Sequence, residues 1–332
     1  MLLWIMLAGC ADKGEVVDTG TPDTADTGPA IAWEAVAEDV AEGAFLSVWG
    51  ASGEDVWIVG GQHDAGHVLR GSGSDWTAQA LPDGTPLLNW VHGTSSSDVW
   101  VAGLSGTLLH WDGSGWTDHS VDTEAAFWGL YAHEDGEVIA VGGESRWGGE
   151  AAMIHRYDGS DWAAVALPDK AKGLTNLFKV SHDGSQYWIV GAGGAALAGD
   201  GESFSSVATG YAGDLVTVDR PPGGGDVVVV GGRGTGVVME PGGDGLSLSA
   251  QTNAGLNGVQ IYGSTAVVVG ERGYSALFDT ESDTVEEVFG ITLDILHATW
   301  GEAGHKMYAV GGNLNTAEEY FHGVILVADA PE

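Results

Sequence analysis

Seven short apolar runs, each closed by glycine, set the rhythm of the chain. The first is Asp55-Val56-Trp57-Ile58-Val59-Gly60-Gly61. It returns as Val99-Trp100-Val101-Ala102-Gly103, Val138-Ile139-Ala140-Val141-Gly142, Tyr187-Trp188-Ile189-Val190-Gly191, Val227-Val228-Val229-Val230-Gly231, Ala266-Val267-Val268-Val269-Gly270 and Met307-Tyr308-Ala309-Val310-Gly311. From Gly60 the steps between first glycines are 43, 39, 49, 40, 39 and 41 residues. A period near forty marks a repeat architecture. Successive apolar residues rich in Val, Ile and Trp suit a strand covered on both faces rather than one with a wet side. The glycines then end the run and permit positive φ.

Each run keeps the same neighbours. An apolar segment precedes it, such as Phe45-Leu46-Ser47-Val48-Trp49-Gly50 or Leu296-His297-Ala298-Thr299-Trp300-Gly301, and a third follows, such as Thr107-Leu108-Leu109-His110-Trp111. A fourth opens on an aromatic after a Gly/Ser/Asp turn: Asp75-Trp76, Gly115-Trp116, Asp161-Trp162 and Ser203-Phe204. Four short strands per unit make a propeller blade. The expected fold is therefore all-β, a seven-bladed β-propeller with four-stranded blades over residues 32–328. The last unit has no fourth strand after Gly323-Val324-Ile325-Leu326-Val327, whereas Ala32-Trp33-Glu34-Ala35-Val36 looks like one without a blade. The N-terminal strand is expected to complete the seventh blade, since closure hides free strand edges. An open solenoid would need capping segments, and none is evident.

Residues 1–9 have the form of a secretory signal, with the apolar core Leu2-Leu3-Trp4-Ile5-Met6-Leu7, too short to span a bilayer. No Lys or Arg precedes it. Residues 10–31 are low in complexity and acidic, the composition of a disordered tether. Cys10 is the only cysteine, so it has no partner for an internal disulfide.

Composition narrows the function. There are 11 basic residues against 47 acidic ones, a formal charge of −36. Such a surface repels nucleic acid, so no nucleic-acid partner is expected. It could attract calcium, but no cofactor is required by any motif. Most tryptophans fall at strand positions and read as core: Trp57, Trp100 and Trp188 align, as do Trp33, Trp76, Trp116 and Trp162. His110 and His155 read as one structural repeat position.

Candidate chemistry lies where the repeat is broken, between second and third strands. Unit one carries Gln62-His63-Asp64-Ala65-Gly66-His67, unit three Glu144-Ser145-Arg146-Trp147-Gly148-Gly149-Glu150, and unit seven the stretch from Asn313 to His322 with Tyr320. Units five and six add Arg233, Arg272 and Tyr274. Arg146, Arg233 and Arg272 are three of only six arginines. With Trp147, Tyr274 and Tyr320 they offer planar donors and aromatic faces, a chemistry for a sugar, a carboxylate-bearing ligand or a peptide. The bland alternative pairs each arginine with a loop carboxylate. His63, Asp64 and His67 are weak metal candidates, because four-residue spacing means little in a loop and no third ligand is near. No catalytic residues stand out: Gly71-Ser72-Gly73 is turn chemistry rather than a nucleophile elbow, and Gly231-Gly232-Arg233-Gly234-Thr235-Gly236 lacks a following helix.

Two resemblances add expectations. Leu7-Ala8-Gly9-Cys10 resembles the lipobox of bacterial lipoproteins, which implies a chain lipid-anchored through Cys10, outside the cytoplasm, on the bacterial outer membrane or cell surface. The units Val48-Trp49-Gly50-Ala51-Ser52-Gly53-Glu54-Asp55-Val56-Trp57-Ile58-Val59-Gly60 and Thr107-Leu108-Leu109-His110-Trp111-Asp112-Gly113-Ser114-Gly115-Trp116-Thr117 resemble the propeller repeats of secreted bacterial lipoproteins, and are similar to BNR and photosystem II assembly-factor repeats. The resemblance implies the fold and says little of function. From its variable loop face the chain is expected to be a lipid-anchored propeller that binds a protein, peptide or glycan there without catalysis, and to act as a monomer. The alternative that the resemblance implies is a sialidase-like surface glycoside hydrolase using the same face, with Arg146, Arg233, Arg272 and Tyr274 matching that site in composition only.

Overall fold

The computed structural model describes residues 31–144, 151–221, 225–288, 290–314 and 321–332. Residues 1–30, which hold the signal and the tether with Cys10 up to Ala30, lie outside the described residues, as do Arg146, Trp147 and Tyr320; Ile31, expected as the end of the tether, is buried in the core instead. Residues 31–332 form one compact unit of seven four-stranded antiparallel sheets. The inner strands run Ala44–Ser52, Leu88–Ser95, Ala126–Ala132, Leu177–His182, Leu215–Asp219, Leu256–Tyr262 and Ile295–Gly301. Each touches the next in order, and the seventh touches the first, so the blades form a closed ring. The glycine-ended run is the second strand of every blade and is buried along nearly its whole length, as continuous hydrophobicity requires.

The ring closes as the sequence implies. Glu34–Val40 pairs antiparallel with His322–Asp329, with Glu34 opposite Val327 and Ala35 opposite Leu326, and becomes the outer strand of blade seven. Trp33 enters the core between blades six and seven and donates its Nε1–H to Ser275 Oγ at 3.0 Å.

The repeat glycine has a different role from the one expected of it. The first glycine of each run lacks a positive φ; the second takes it where there is one, at Gly61, Gly143, Gly232 and Gly312. What the first glycine provides is room. A Cβ on Gly60 would lie 1.9 Å from Ala44 O, and one on Gly231 2.2 Å from Asp214 O; all seven meet the same inner-strand approach. The inner strand leans over this glycine because it carries a β-bulge there. The register skips one residue in every blade: Leu46, Asn89, Trp128, Phe178, Val216, Asn257 and His297. A bulge re-aims a side chain, and here seven bulges re-aim one side chain per blade toward the same space.

Register also corrects one reading. His110 lies opposite Trp100, but His155 lies opposite Ala140. The residues equivalent to His110 are Arg70 and Arg156, and each of the three binds the acid that opens the neighbouring strand: Asp55 for Arg70 at 2.6 Å, Asp98 for His110 at 2.7 Å, and Glu137 for Arg156.

Candidate functional site

The inner edge of each blade is an open strand edge, so its backbone polar groups need partners other than a fifth strand. Neighbouring blades supply them. Ser47 Oγ accepts from Val91 N at 3.2 Å, and His92 Nδ1 from Ala132 N at 3.1 Å. Asn89 Nδ2 donates to Phe127 O at 2.9 Å and Asn257 Nδ2 to Leu296 O at 3.1 Å, while Thr217 Oγ1 donates to Asn257 O. These bonds hold the ring and fix the side chains that face its axis.

All seven bulged residues line one cavity of about 440 Å³, within the range of ligand pockets. Asp214, Gly232, Arg233, Glu271, Ile295 and Leu314 complete its mouth, on the face that carries the loops between second and third strands. The wall is mixed: Leu46, Trp128, Phe178 and Val216 are apolar, and Asn89, Asn257 and His297 are polar. Trp128 is held in place by its Nε1–H, which donates to Asn176 Oδ1 at 3.0 Å.

Lys179 gives the channel a buried cation. Among the described residues it is the one Lys, Arg, Asp or Glu that is buried, at 9% exposed. Its stem crosses Gly129 of blade three, where a Cβ would come 2.9 Å from Lys179 Cα. Its Nζ donates to Trp128 O at 2.5 Å and lies 4.2 Å from the centroid of the Trp90 ring in blade two. One side chain thus ties three blades together. Burial brings its pKa down to about 7. His297 is held down to about 4, by burial first and by the charge of Lys179 second, so its imidazole is neutral at pH 7.

The mouth carboxylates are committed to backbone. Glu271 Oε2 accepts from Gly234 N at 2.9 Å and Gly255 N at 3.2 Å, and Asp214 Oδ1 accepts from Gly193 N at 3.1 Å. The cations divide into two groups. Arg70, Arg156, Lys172 and Lys306 on the outside are ion-paired. Arg233 and Lys179 on this cavity, and Arg220 on a second cavity at the opposite face, have no ion pair among the described residues, and neither do the exposed Lys170 and Arg272.

The residues singled out from sequence are spread over several places. Arg233 is exposed at the mouth, at the end of the hairpin in which it faces Thr235. Arg272 is exposed in a short turn at φ +57° and is not among the cavity's lining residues. Tyr274 turns to the outer strand of its blade, where its hydroxyl donates to Glu287 Oε1 at 3.3 Å; burial first, then Glu287, push that hydroxyl's pKa up. The insertion of unit one is not a loop. Gln62 faces Ala65, so His63 and Asp64 are the two residues of a tight hairpin, and His67 lies within a strand 6.3 Å from the Phe45 ring, its pKa lowered by burial. No group of three His, Cys, Asp or Glu side chains is placed to hold a metal among the described residues.

The channel residues Asn89, Trp128, Phe178, Lys179, Asn257 and His297 escaped sequence reasoning. One signal could have found them. The residue opposite each repeat glycine is apolar in all seven blades, and the next residue, from Leu46 to His297, keeps no type at all.

No family model matches this chain, and no curated protein is similar to it in sequence. Solved structures are similar to it over almost the whole ring. YCF48 bound to D1 peptide matches with a TM-score of 0.65 and 15% identity, covering 90% of this chain and 97% of that one. YCF48 from Cyanidioschyzon merolae gives 0.64 and 14%, over 90% and 98%. The WD40 β-propeller domain of Doa1 gives 0.69 and 8%, over 91% and 98%. What these chains share with this one is the fold, and the architecture of residues 31–332 is that of a seven-bladed β-propeller.

Proposed function

We propose that this chain is a non-catalytic binding propeller that receives a segment of a protein or peptide partner at the mouth of its channel. The observation that carries the reading is the cavity itself: seven bulges turn seven side chains of six types into one mixed pocket, with Lys179 and Arg233 free of carboxylate partners among the described residues, in a chain of net charge −36. A similar propeller, YCF48, is known with a peptide bound, which favours a peptide over a glycan. A glycoside hydrolase on this face would need arginines gathered beside a tyrosine that ionises readily. Arg233 and Arg272 are not gathered at one cavity, and the Tyr274 hydroxyl is turned away to Glu287 and made harder to ionise.

The test is selection of a random heptapeptide display library on the immobilised full-length chain. Peptides should be enriched, and Arg233→Glu or Trp128→Ala should weaken the best of them about tenfold, about 1.4 kcal/mol. Arg272→Glu should change it little. Equal affinity for all four proteins would remove the mouth as the site. We also propose that the chain works outside the cytoplasm, tethered through Cys10. Metabolic labelling with an alkyne fatty acid should mark the wild type and leave Cys10→Ser unmarked; label on both proteins would contradict the anchor.

A further inference from the structure

Three polar groups on the channel wall carry hydrogen-bonding capacity that the protein leaves unused. Asn89 is 1% exposed. Its Nδ2 donates to Phe127 O at 2.9 Å. A carbonyl only accepts, so the amide nitrogen must be the atom that faces it. Asn89 Oδ1 is therefore left buried, and it has no partner. His297 Nε2 is also buried without a partner. The backbone of Gly312 favours the protonated form of the ring, as a carbonyl facing a ring N–H does, and since Nε2 has no partner the nitrogen that faces it is Nδ1–H. In the neutral imidazole Nε2 then presents a lone pair. Lys179 Nζ spends one hydrogen on Trp128 O and keeps the rest.

Asn89 and Lys179 are neighbours, since they hold the consecutive carbonyls of Phe127 and Trp128. All three residues line the same cavity. The wall thus offers two acceptors and one donor, and a buried polar group without a partner is costly to keep.

We infer that the channel takes a primary carboxamide, the side chain of an asparagine or glutamine on the bound peptide. Its two N–H hydrogens go to Asn89 Oδ1 and His297 Nε2, and its oxygen accepts from Lys179 Nζ. This rests on the peptide reading above and names the group that enters deepest. The complement is selective. A carboxylate satisfies Lys179 but brings only lone pairs to two acceptors. A hydroxyl brings one hydrogen, an alkyl chain none, and a lysine or arginine meets the charge of Lys179. Trp128 and Phe178 flank the planar amide with aromatic wall.

Saturation-transfer NMR on the full-length chain tests it, with N-acetylglutamine methylamide, N-acetylglutamate methylamide and N-acetylnorleucine methylamide as probes. Signal transfer should be seen for the glutamine probe alone, and should vanish in Lys179→Met and Asn89→Leu. Both variants should keep the wild-type circular dichroism; Lys179→Met guards against the possibility that Asn89→Leu fails to fold. In parallel, peptides selected on the chain should carry Asn or Gln at one fixed position, and changing it to Asp or Glu should cost tenfold or more. Preference for the glutamate probe, equal transfer to all three, or transfer to none would overturn the carboxamide. Selected peptides that lack Asn and Gln yet weaken with Arg233→Glu would overturn it while leaving the mouth as a peptide site. Failure to select any peptide would remove both.

Discussion

Lys179 shows how one side chain can serve the fold at a cost. It bridges three blades, but its ammonium is buried with a carbonyl and an aromatic face instead of a counter-ion. Burial lowers its pKa from 10.5 to about 7. Between those values the unfolded chain binds the proton and the folded chain does not, so stability should rise with pH across that window. Below about pH 7 the folded protein bears the full desolvation penalty. Lys179→Met, similar in length and uncharged, should therefore be more stable at pH 7 by roughly 1–2 kcal/mol. Its urea midpoint should lose the wild-type dependence on pH between 7 and 10. A lower midpoint, or an unchanged pH slope, would show that the charge is better solvated than its burial indicates. The repeat glycines work by close approach. Gly231→Ala would place a Cβ 2.2 Å from Asp214 O and 2.8 Å from Leu215 Cα, both backbone atoms. Overpacking of this kind should cost about 1–3 kcal/mol, read from the same urea curves, and a neutral substitution would show that the bulge can relax.

At the level of elements, the blade was legible because its signals are local. Continuous apolar runs gave the second strands, and aromatic residues after Asp-rich turns gave the fourth. Those turns also account for part of the acidic excess. Asp112 Oδ1 accepts from the backbone of Ser114 and Gly115, Asp158 from Ser160 and Asp161, and Asp200 from Glu202 and Ser203. The ring closure was legible too, because Trp33 has the pattern of a fourth strand. Trp33→Ala should cost about 3–5 kcal/mol, since the residue is 6% exposed and bonded to Ser275; a loss under 1 kcal/mol in urea unfolding would mean that the strand closes the ring without it. The channel was not legible. A bulge leaves no mark in hydrophobic periodicity, and it shifts by one residue which side chain leaves the blade. Strand register is hidden in the same way: a one-residue offset made His110 and His155 look equivalent, and the pairing of Gln62 with Ala65 turned an expected loop into a two-residue hairpin at His63-Asp64.

At the scale of the molecule, the charge map supports the channel as the place where a ligand meets the protein. Among the described residues, the four ion-paired Lys and Arg side chains are on the outside, and Arg233, Lys179 and Arg220, without ion pairs there, line the cavities at the two faces. The mouth carboxylates Asp214 and Glu271 accept from backbone N–H groups, so Arg233 and Lys179 are the charges there left to meet a partner. Of the arginines noticed from sequence, Arg233 lies at the mouth of this cavity, although most of the cavity is built from inner strands and not from inserted loops. The central claim is that the partner enters this mouth. Hydrogen–deuterium exchange of the full-length chain, with and without the best selected heptapeptide, tests it without choosing a residue in advance. Protection is expected at residues 176–179, 214–217 and 231–235, where the mouth and the bulges lie. Protection confined to the opposite face, at residues 92–94, 132–134 and 182–184, or to the outer strands, would contradict it.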